Sequence, residues 1–305
     1  MNNKKDNLIK MKLAPSSNAL SIAGNGVYKP IVDRKAKFVG LFCNARDEKN
    51  IKEWAAHHLL IGFDSIIIFD HKSETPLTEV FENFDKRVTI IRIDKEEVSE
   101  NNKNIKKYLM NKAINISLKM KFDWYIYLDA DEFLILNKFF RGVKHFLNAY
   151  SYADSLGVNW LMFGSNNLVE EPEGLILESY TRSRPNIDQH VKSFVRPKEI
   201  KFSNNPHYYH IRDPRRMLGI NFKQISYPQC WNDLNIPYHK APAYIAHYVY
   251  QSEETYKKRK VDLRGDDGNM RDDMGKEIHN HYNDIINLQP QKYVNQVKEM
   301  LSYYS

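Results

Sequence analysis

Short apolar runs alternate with stretches of helical periodicity through the first half of the chain. Residues 38–43 and 65–69 are short apolar runs, the pattern of buried strands, and residues 88–93 and 124–128 read as a third and a fourth strand. Between the first two, Ile51, Trp54, Ala55, His58 and Leu59 return at helical spacing, with Asp47 placed to cap the helix and Gly62 to end it. Residues 76–84 and 102–120 are the next helical stretches. The order β-α-β-α-β-α-β predicts an α/β fold with a mostly parallel sheet and right-handed crossovers. Such sheets bind ligands in the crevice beyond the carboxyl ends of their strands. The polar residues after the first, second and fourth strands are therefore the first candidates for chemistry.

The second half is less regular. Residues 155–163 read as a strand, and 164–174 as a loop. Residues 175–181 and 191–196 read as strands paired around a turn at Pro185 and Asn186. Residues 198–240 mix Pro, Asn, Asp and aromatics with little periodicity. A strand over 244–250, a basic helix over 253–261, a polar loop over 265–273, and closing helices over 273–286 and 290–303 complete the reading. The expected organisation is an arm over 1–35, a catalytic domain over 36–270 and a helical extension over 271–305. That domain divides into two halves, 36–135 and 136–270.

Composition narrows the classes. Of 305 residues, 42% are hydrophobic and 27% charged, which argues against both a disordered chain and a membrane bundle. No run approaches the ~18 apolar residues of a membrane span, and no signal peptide is evident. Cys43 and Cys230 are the only cysteines, too few for a disulfide framework, so a reducing, cytoplasmic setting is expected. The net charge of +7 comes from scattered cations with acids among them. That pattern predicts a solvated surface, leaves room for peripheral membrane contact, and gives no reason to expect nucleic acid. Neither G-x-G-x-x-G nor G-x-x-x-x-G-K-[ST] occurs, which lowers dinucleotide and P-loop readings.

The strongest chemical signal is Tyr125-Ile-Tyr-Leu-Asp129-Ala-Asp131-Glu132-Phe133, an apolar strand running into three carboxylates. Close carboxylates repel unless something positive lies between them. A hard divalent cation, Mn²⁺ or Mg²⁺, shared with substrate phosphates suits them. The bland alternative is an acidic turn. Asn44 and Arg46 follow the first strand into the same crevice, where Arg46 meets phosphate or a base, or pairs with Asp47 or Glu48. Lys192 and Arg196 share one strand face and reach toward a leaving diphosphate or an acceptor, or lie solvated. Lys257, Lys258, Arg259 and Lys260 form a basic run, either phosphate-binding or merely a soluble face.

The order of motifs resembles the GT-A fold nucleotide-sugar glycosyltransferases, more narrowly the family 2-like and family 92-like group. The resemblance rests on Asn44-Ala-Arg46-Asp47-Glu48, Glu53-Trp54 with His57 and His58, Gly62-Phe63-Asp64 and Phe69-Asp70-His71-Lys72-Ser73. It continues through Asp123-Trp124, Asp129-Ala-Asp131-Glu132-Phe133, Trp160-Leu-Met-Phe163-Gly164-Ser165 and Lys192-Ser-Phe-Val-Arg196-Pro197. It ends with His247-Tyr248 and Ser252-Glu-Glu254-Thr-Tyr256. His71-Lys72 and Asn166-Asn167 depart from the group's pattern, the latter where acceptor contacts are expected.

The resemblance implies a nucleoside diphosphate sugar donor, most simply UDP-linked, held by a nucleotide-binding half, 36–135, and a glycan, glycolipid or glycoprotein acceptor held by an acceptor half, 136–270. It implies a cation on Asp131 with Asp129 assisting, His247 completing the metal shell, and Asp70 facing the nucleoside. A general base for the acceptor hydroxyl is expected to be Asp or Glu. Glu170, Glu171, Asp213, Asp266 and Asp267 all lie in loops, and nothing in the sequence chooses among them. The rival readings are a metal-dependent phosphohydrolase or nucleotidyltransferase, which would bring further carboxylates, and a basic nucleic-acid or membrane-surface binding protein.

Overall fold

The structure, a computed structural model, describes residues 34–93, 105–225, 231–263 and 270–304. Nearly all of the expected arm, with Cys230, Asp266 and Asp267, lies outside the described residues. The chain runs β1 (Val39–Ala45), α1 (Ile51–Leu60), β2 (Ser65–Asp70), α2 (Leu77–Val80), β3 (Val88–Arg92), α3 (Ile105–Met120), β4 (Trp124–Tyr127) and β5 (Glu132–Leu136). It continues with α4 (Val143–Ala149), β6 (Ser155–Met162), α5 (Ile176–Ser179), β7 (Arg182–Ser183), β8 (Val191–Val195), β9 (Ile200–Asn205), β10 (Tyr208–Ile211) and β11 (Met217–Gly219). The last elements are β12 (Ala243–His247), α6 (Glu253–Tyr256), β13 (Ile285–Ile286) and α7 (Val294–Tyr303).

The main sheet has the order β3-β2-β1-β4-β8-β6-β12-β5, with β11 also beside β6. β3, β2, β1 and β4 are parallel neighbours, as are β6 with β12 and with β11. β8 runs antiparallel between β4 and β6, and β5 runs antiparallel along β12. The parallel part is what the alternating pattern predicts. Strand side chains part to two apolar layers: Leu41, Ile66 and Ile68 pack with Trp54 and Val297, while Phe42, Ile67 and Phe69 pack with Leu109 and Tyr125. No helix among the described residues is long and apolar enough to cross a membrane.

β5 is a strand the pattern did not reveal, and it ends the sheet. Its outer backbone groups need partners, and α1 supplies them. Trp54 Nε1 donates to the Glu132 carbonyl at 2.8 Å, and His57 Nε2 to the Leu134 carbonyl at 2.9 Å. His58 Nδ1 donates to the Trp54 carbonyl, which leaves Nε2 to accept the Leu134 N–H at 3.2 Å. The Glu-Trp…His-His motif is thus a clamp on the strand that begins at Glu132.

Elsewhere the fold corrects the expectations. Residues 175–181 form α5 rather than a strand. Buried Glu53 accepts the Ile176 and Leu177 N–H groups at 2.7 and 2.9 Å, capping a helix across 123 residues of chain. β8 joins the main sheet instead of pairing with that segment. Asp47 does not cap α1; at φ 53° it turns away and accepts the Glu74 N–H at 2.7 Å. Residues 198–240 contain the β9–β10 hairpin and β11. Residues 273–286 form a 3₁₀ run, Gly275–Asn280, and β13 rather than one helix. That segment docks against Gly164, where a Cβ would lie 2.3 Å from Asn283 Oδ1.

Candidate active site

The chain leaves β4 at Tyr127 and enters β5 at Glu132, so Asp129 and Asp131 occupy a tight turn at the carboxyl edge of the sheet. The Glu132 N–H closes it on the Asp129 carbonyl at 3.0 Å, and Glu132 Oε2 accepts the Asp129 N–H at the same distance. The Tyr248 N–H on the Asp131 carbonyl, at 2.9 Å, ties the turn to the end of β12.

Cations converge on this turn from three other elements. Lys106, on the first turn of α3, pairs with Asp129 Oδ1. Lys192, fully buried on β8, places Nζ 2.7 Å from Asp129 Oδ2 and 3.2 Å from Glu132 Oε2. Arg259 and Lys260, on the π-helical turn after α6, lie 3.3 and 3.1 Å from Asp131 Oδ2. Arg259 also grips Glu48, at 2.9 and 3.0 Å.

Burial opposes ionisation of both aspartates, but the cations prevail. Lys106 and Lys192 hold Asp129 well below the usual carboxylate range, and Lys260 and Arg259 do the same for Asp131. Glu132 moves the other way: burial, with Asp129 and Asp131 nearby, raises it against the pull of Lys192. Burial lowers His247 to about 4 despite Asp131, which keeps its imidazole neutral near pH 7.

A neutral imidazole beside an ionised carboxylate is a donor set that suits a divalent cation. His247 Nε2 lies 3.8 Å from Asp131 Oδ1, too far for a hydrogen bond. Two ligands at ~2.1 Å from one cation span such a gap. No group of three or more His, Cys, Asp or Glu side chains among the described residues is arranged to hold a metal. Asp131 and His247 are the pair that would hold a cation at this edge. Asp129, taken up by two lysines, stands beside that pair rather than in it.

The other expected residues separate. Asn44 lies at the end of β1, its Oδ1 accepting from the Tyr127 hydroxyl at 3.1 Å, and Arg46 is exposed just beyond. Asp70 is buried and both its oxygens are taken, by the N–H groups of Ser73 and Leu77 and by Arg92. Those donors outweigh burial and keep its pKa low. Its carboxylate shapes the loop entering α2. Arg196 is not at the site. β8 is antiparallel to β4, so four residues of strand, ~13 Å, carry it to the opposite edge. There it lies over the Trp124 ring, 4.3 Å from its centre, and bonds backbone carbonyls. Of the basic run, Arg259 and Lys260 reach the carboxylates, whereas Lys257 pairs with Asp262 and Lys258 with Glu254.

Glu170 and Glu171 lie in the loop after β6, on the site's side of the sheet. Glu170 is exposed, and Glu171 pairs with Lys49 and Lys258. Asp213 precedes β11, which starts alongside Ser155 at the opposite edge, and its carboxylate is bound to Arg215. Sequence reasoning passed over Lys106, the buried role of Glu132, and a cluster around Trp160. His190, His207 and His247 surround that indole with ring centres 5.3, 5.3 and 4.5 Å away. A tryptophan at the exit of a strand was the one available signal.

The carboxylates and cations cluster at the carboxyl edge of a mostly parallel α/β sheet, the edge at which such sheets bind their ligands. The family profile described as glycosyltransferase family 92 matches residues 40–286, and the chain belongs to that family. A glycosyltransferase family 92 protein of Ricinus communis is 24% identical over 217 residues, 68% of this chain. The match covers 34% of that relative, so the chain spans about a third of its length. Among solved structures, a nucleotidyl transferase from Methanothermobacter thermautotroptrophicus aligns at a TM-score of 0.27 and 8% identity, over 53% of this chain and 73% of its own. HddC from Yersinia pseudotuberculosis aligns at 0.31 and 10%, over 58% and 84%. Likeness at that level carries no argument.

Proposed function

We propose that this chain transfers a sugar from a nucleoside diphosphate sugar, UDP-linked, to a hydroxyl of a glycan, glycolipid or glycoprotein acceptor, with Mn²⁺ or Mg²⁺ at Asp131 and His247. The carrying observation is the convergence of Asp131, His247, Arg259 and Lys260 at one strand edge. Asp131 and His247 would hold the cation, which when bound would supply Lewis-acid neutralisation of the departing diphosphate. The chain's own groups do the rest. Arg259 and Lys260, now on Asp131, are within reach of phosphate oxygens and add positive charge where the leaving group develops negative charge. Lys106 and Lys192 keep Asp129 ionised and fixed, as an acceptor for a ribose hydroxyl or a water. Asn44 and Arg46 border the place for the base. Membership of a glycosyltransferase family supports the reaction class.

Calorimetric titration of UDP and GDP, with and without Mn²⁺, tests this reading. Wild type is expected to bind one of the two in a Mn²⁺-dependent manner, and Asp131→Asn to lose at least tenfold in that affinity. Absence of binding by either nucleotide with Mn²⁺ present would remove the proposal.

A further inference from the structure

The fold holds a second polar constellation on the far side of Trp160. His190 immediately precedes β8, and its Nδ1 lies 2.6 Å from Asp188 Oδ1. The same Oδ1 accepts the His190 N–H at 2.9 Å, so one carboxylate sets both the backbone and the ring. Asp188 is itself fixed to β6: its N–H donates to the Trp160 carbonyl at 2.7 Å, and its carbonyl accepts from Asn159 Nδ2 at 2.8 Å. A carboxylate on Nδ1 selects the tautomer whose Nε2 carries the accepting lone pair.

We propose that His190, oriented by Asp188, is the general base that takes the proton of the acceptor hydroxyl. The inference rests on the transferase reading above. Trp160 separates the two imidazoles of His190 and His247, with ring centres 5.3 and 4.5 Å from its own. The ring centres of His190 and His247 are therefore at most about 10 Å apart. A cavity of about 510 Å³ opens on the Asp188 side of the pair, lined by Arg184, Asn186, Asp188, Asp233, Asn235 and Asp284, with the His190 ring outside its lining. Carboxylates, amides and a guanidinium suit the many hydroxyls of a sugar. The exposed indole of Trp231 stands 6.0 Å from the His190 ring and offers an apolar face for a pyranose.

The neighbouring groups fit the role less well. His207 spends Nδ1 on the Val191 carbonyl, and burial beside Lys192 lowers it to about 3. Glu171 is held by two lysines. The step balances as follows: the acceptor oxygen forms a bond to the anomeric carbon as its proton passes to His190 Nε2. The bond from that carbon to the diphosphate oxygen breaks, and its electron pair leaves with the diphosphate.

The test uses the UDP- or GDP-sugar that the wild type accepts, with Mn²⁺ and with water in the acceptor's place, and follows release of the nucleoside diphosphate. His190→Ala is expected to lose at least about a hundredfold in rate. It should keep the wild-type affinity for the nucleotide with Mn²⁺ and regain rate on addition of imidazole. Asp188→Asn is expected to fall in the same direction and to gain nothing from imidazole. Retention of rate within threefold by His190→Ala overturns the proposal. So does a loss matched by an equal loss of nucleotide affinity, which would mark a structural role. Absence of both nucleotide binding and turnover in wild type overturns the transferase reading and this proposal together, whereas binding and turnover untouched in the variant overturn the base alone.

Discussion

Lys192 shows how much a single register position decides. Its side chain is fully buried, yet it meets two carboxylates, Asp129 and Glu132. Removing Lys192 leaves Glu132 without its cation and Asp129 with Lys106 alone, and breaking a buried ion cluster costs about 3–5 kcal/mol. Lys192→Met is therefore expected to lose stability on that scale in urea unfolding, while Lys257→Met, on the surface, changes it by less than about 0.5 kcal/mol. Equal midpoints for the two variants would contradict the account of Lys192. At this scale the sequence marked Asp129 and Asp131 because they follow an apolar strand, Lys192 by the strand face it shares with Arg196, and His247 through the family resemblance. It could not separate Lys192 from Arg196, since which end of β8 meets Asp129 depends on β8 running antiparallel to β4. Lys106 was hidden among the other lysines of α3, and His190 carried no motif at all.

The clamp of α1 on β5 gives the element scale its own pH dependence. Burial lowers His57 to about 4 and holds His58 well below its ordinary value, with His57 adding to the effect on His58. The unfolded chain titrates His57 near 6.5, so it gains the proton first on acidification. The stability tied to His57 is intact above pH 6.5, falls as the pH drops toward 4, and is levelled below that. At about 1.4 kcal/mol per unit, the loss from His57 is about 3 kcal/mol. Glu53, raised to about 7 chiefly by burial, works in the opposite sense between about 4.5 and 7. The informative quantity is thus the difference between variants. His57→Gln keeps a donor for the Leu134 carbonyl but does not titrate, so its unfolding midpoint should fall less steeply than wild type from pH 6.5 to 4. Parallel curves would contradict the clamp's electrostatics. β1, β2 and β4 were legible because each is built on a short apolar run, and β3 because Val88, Ile90, Ile91 and Ile93 crowd one short stretch. β5 was not, because its entry residues are carboxylates that read as a loop, and α5 was misread because its cap comes from Glu53 on another helix.

The whole molecule gathers residues from 106, 129–132, 192, 247 and 259–260 at one edge of one sheet. Sequential parallel crossovers could be read locally. The insertion of β8 between β4 and β6 is a long-range choice that no local pattern encodes. The C-terminal segment is joined to the same edge by a hydrogen-bonded chain: Ser165 Oγ to His279 Nδ1 at 2.6 Å, and His279 Nε2 to Glu253 Oε1 at 2.7 Å. That chain links the loop after β6, the 3₁₀ run and the start of α6, whose continuation carries Arg259 and Lys260. The family match, residues 40–286, spans all three.

The central claim is that the Asp131–His247 edge activates a nucleoside diphosphate sugar. Its most direct test is release of nucleoside diphosphate from UDP- and GDP-hexoses in Mn²⁺ by wild type and Asp131→Asn. Release from one donor class by wild type, reduced at least about a hundredfold in the variant with the fold retained, is the expected result. Release unchanged in Asp131→Asn, or no release from any donor by wild type, would contradict the account.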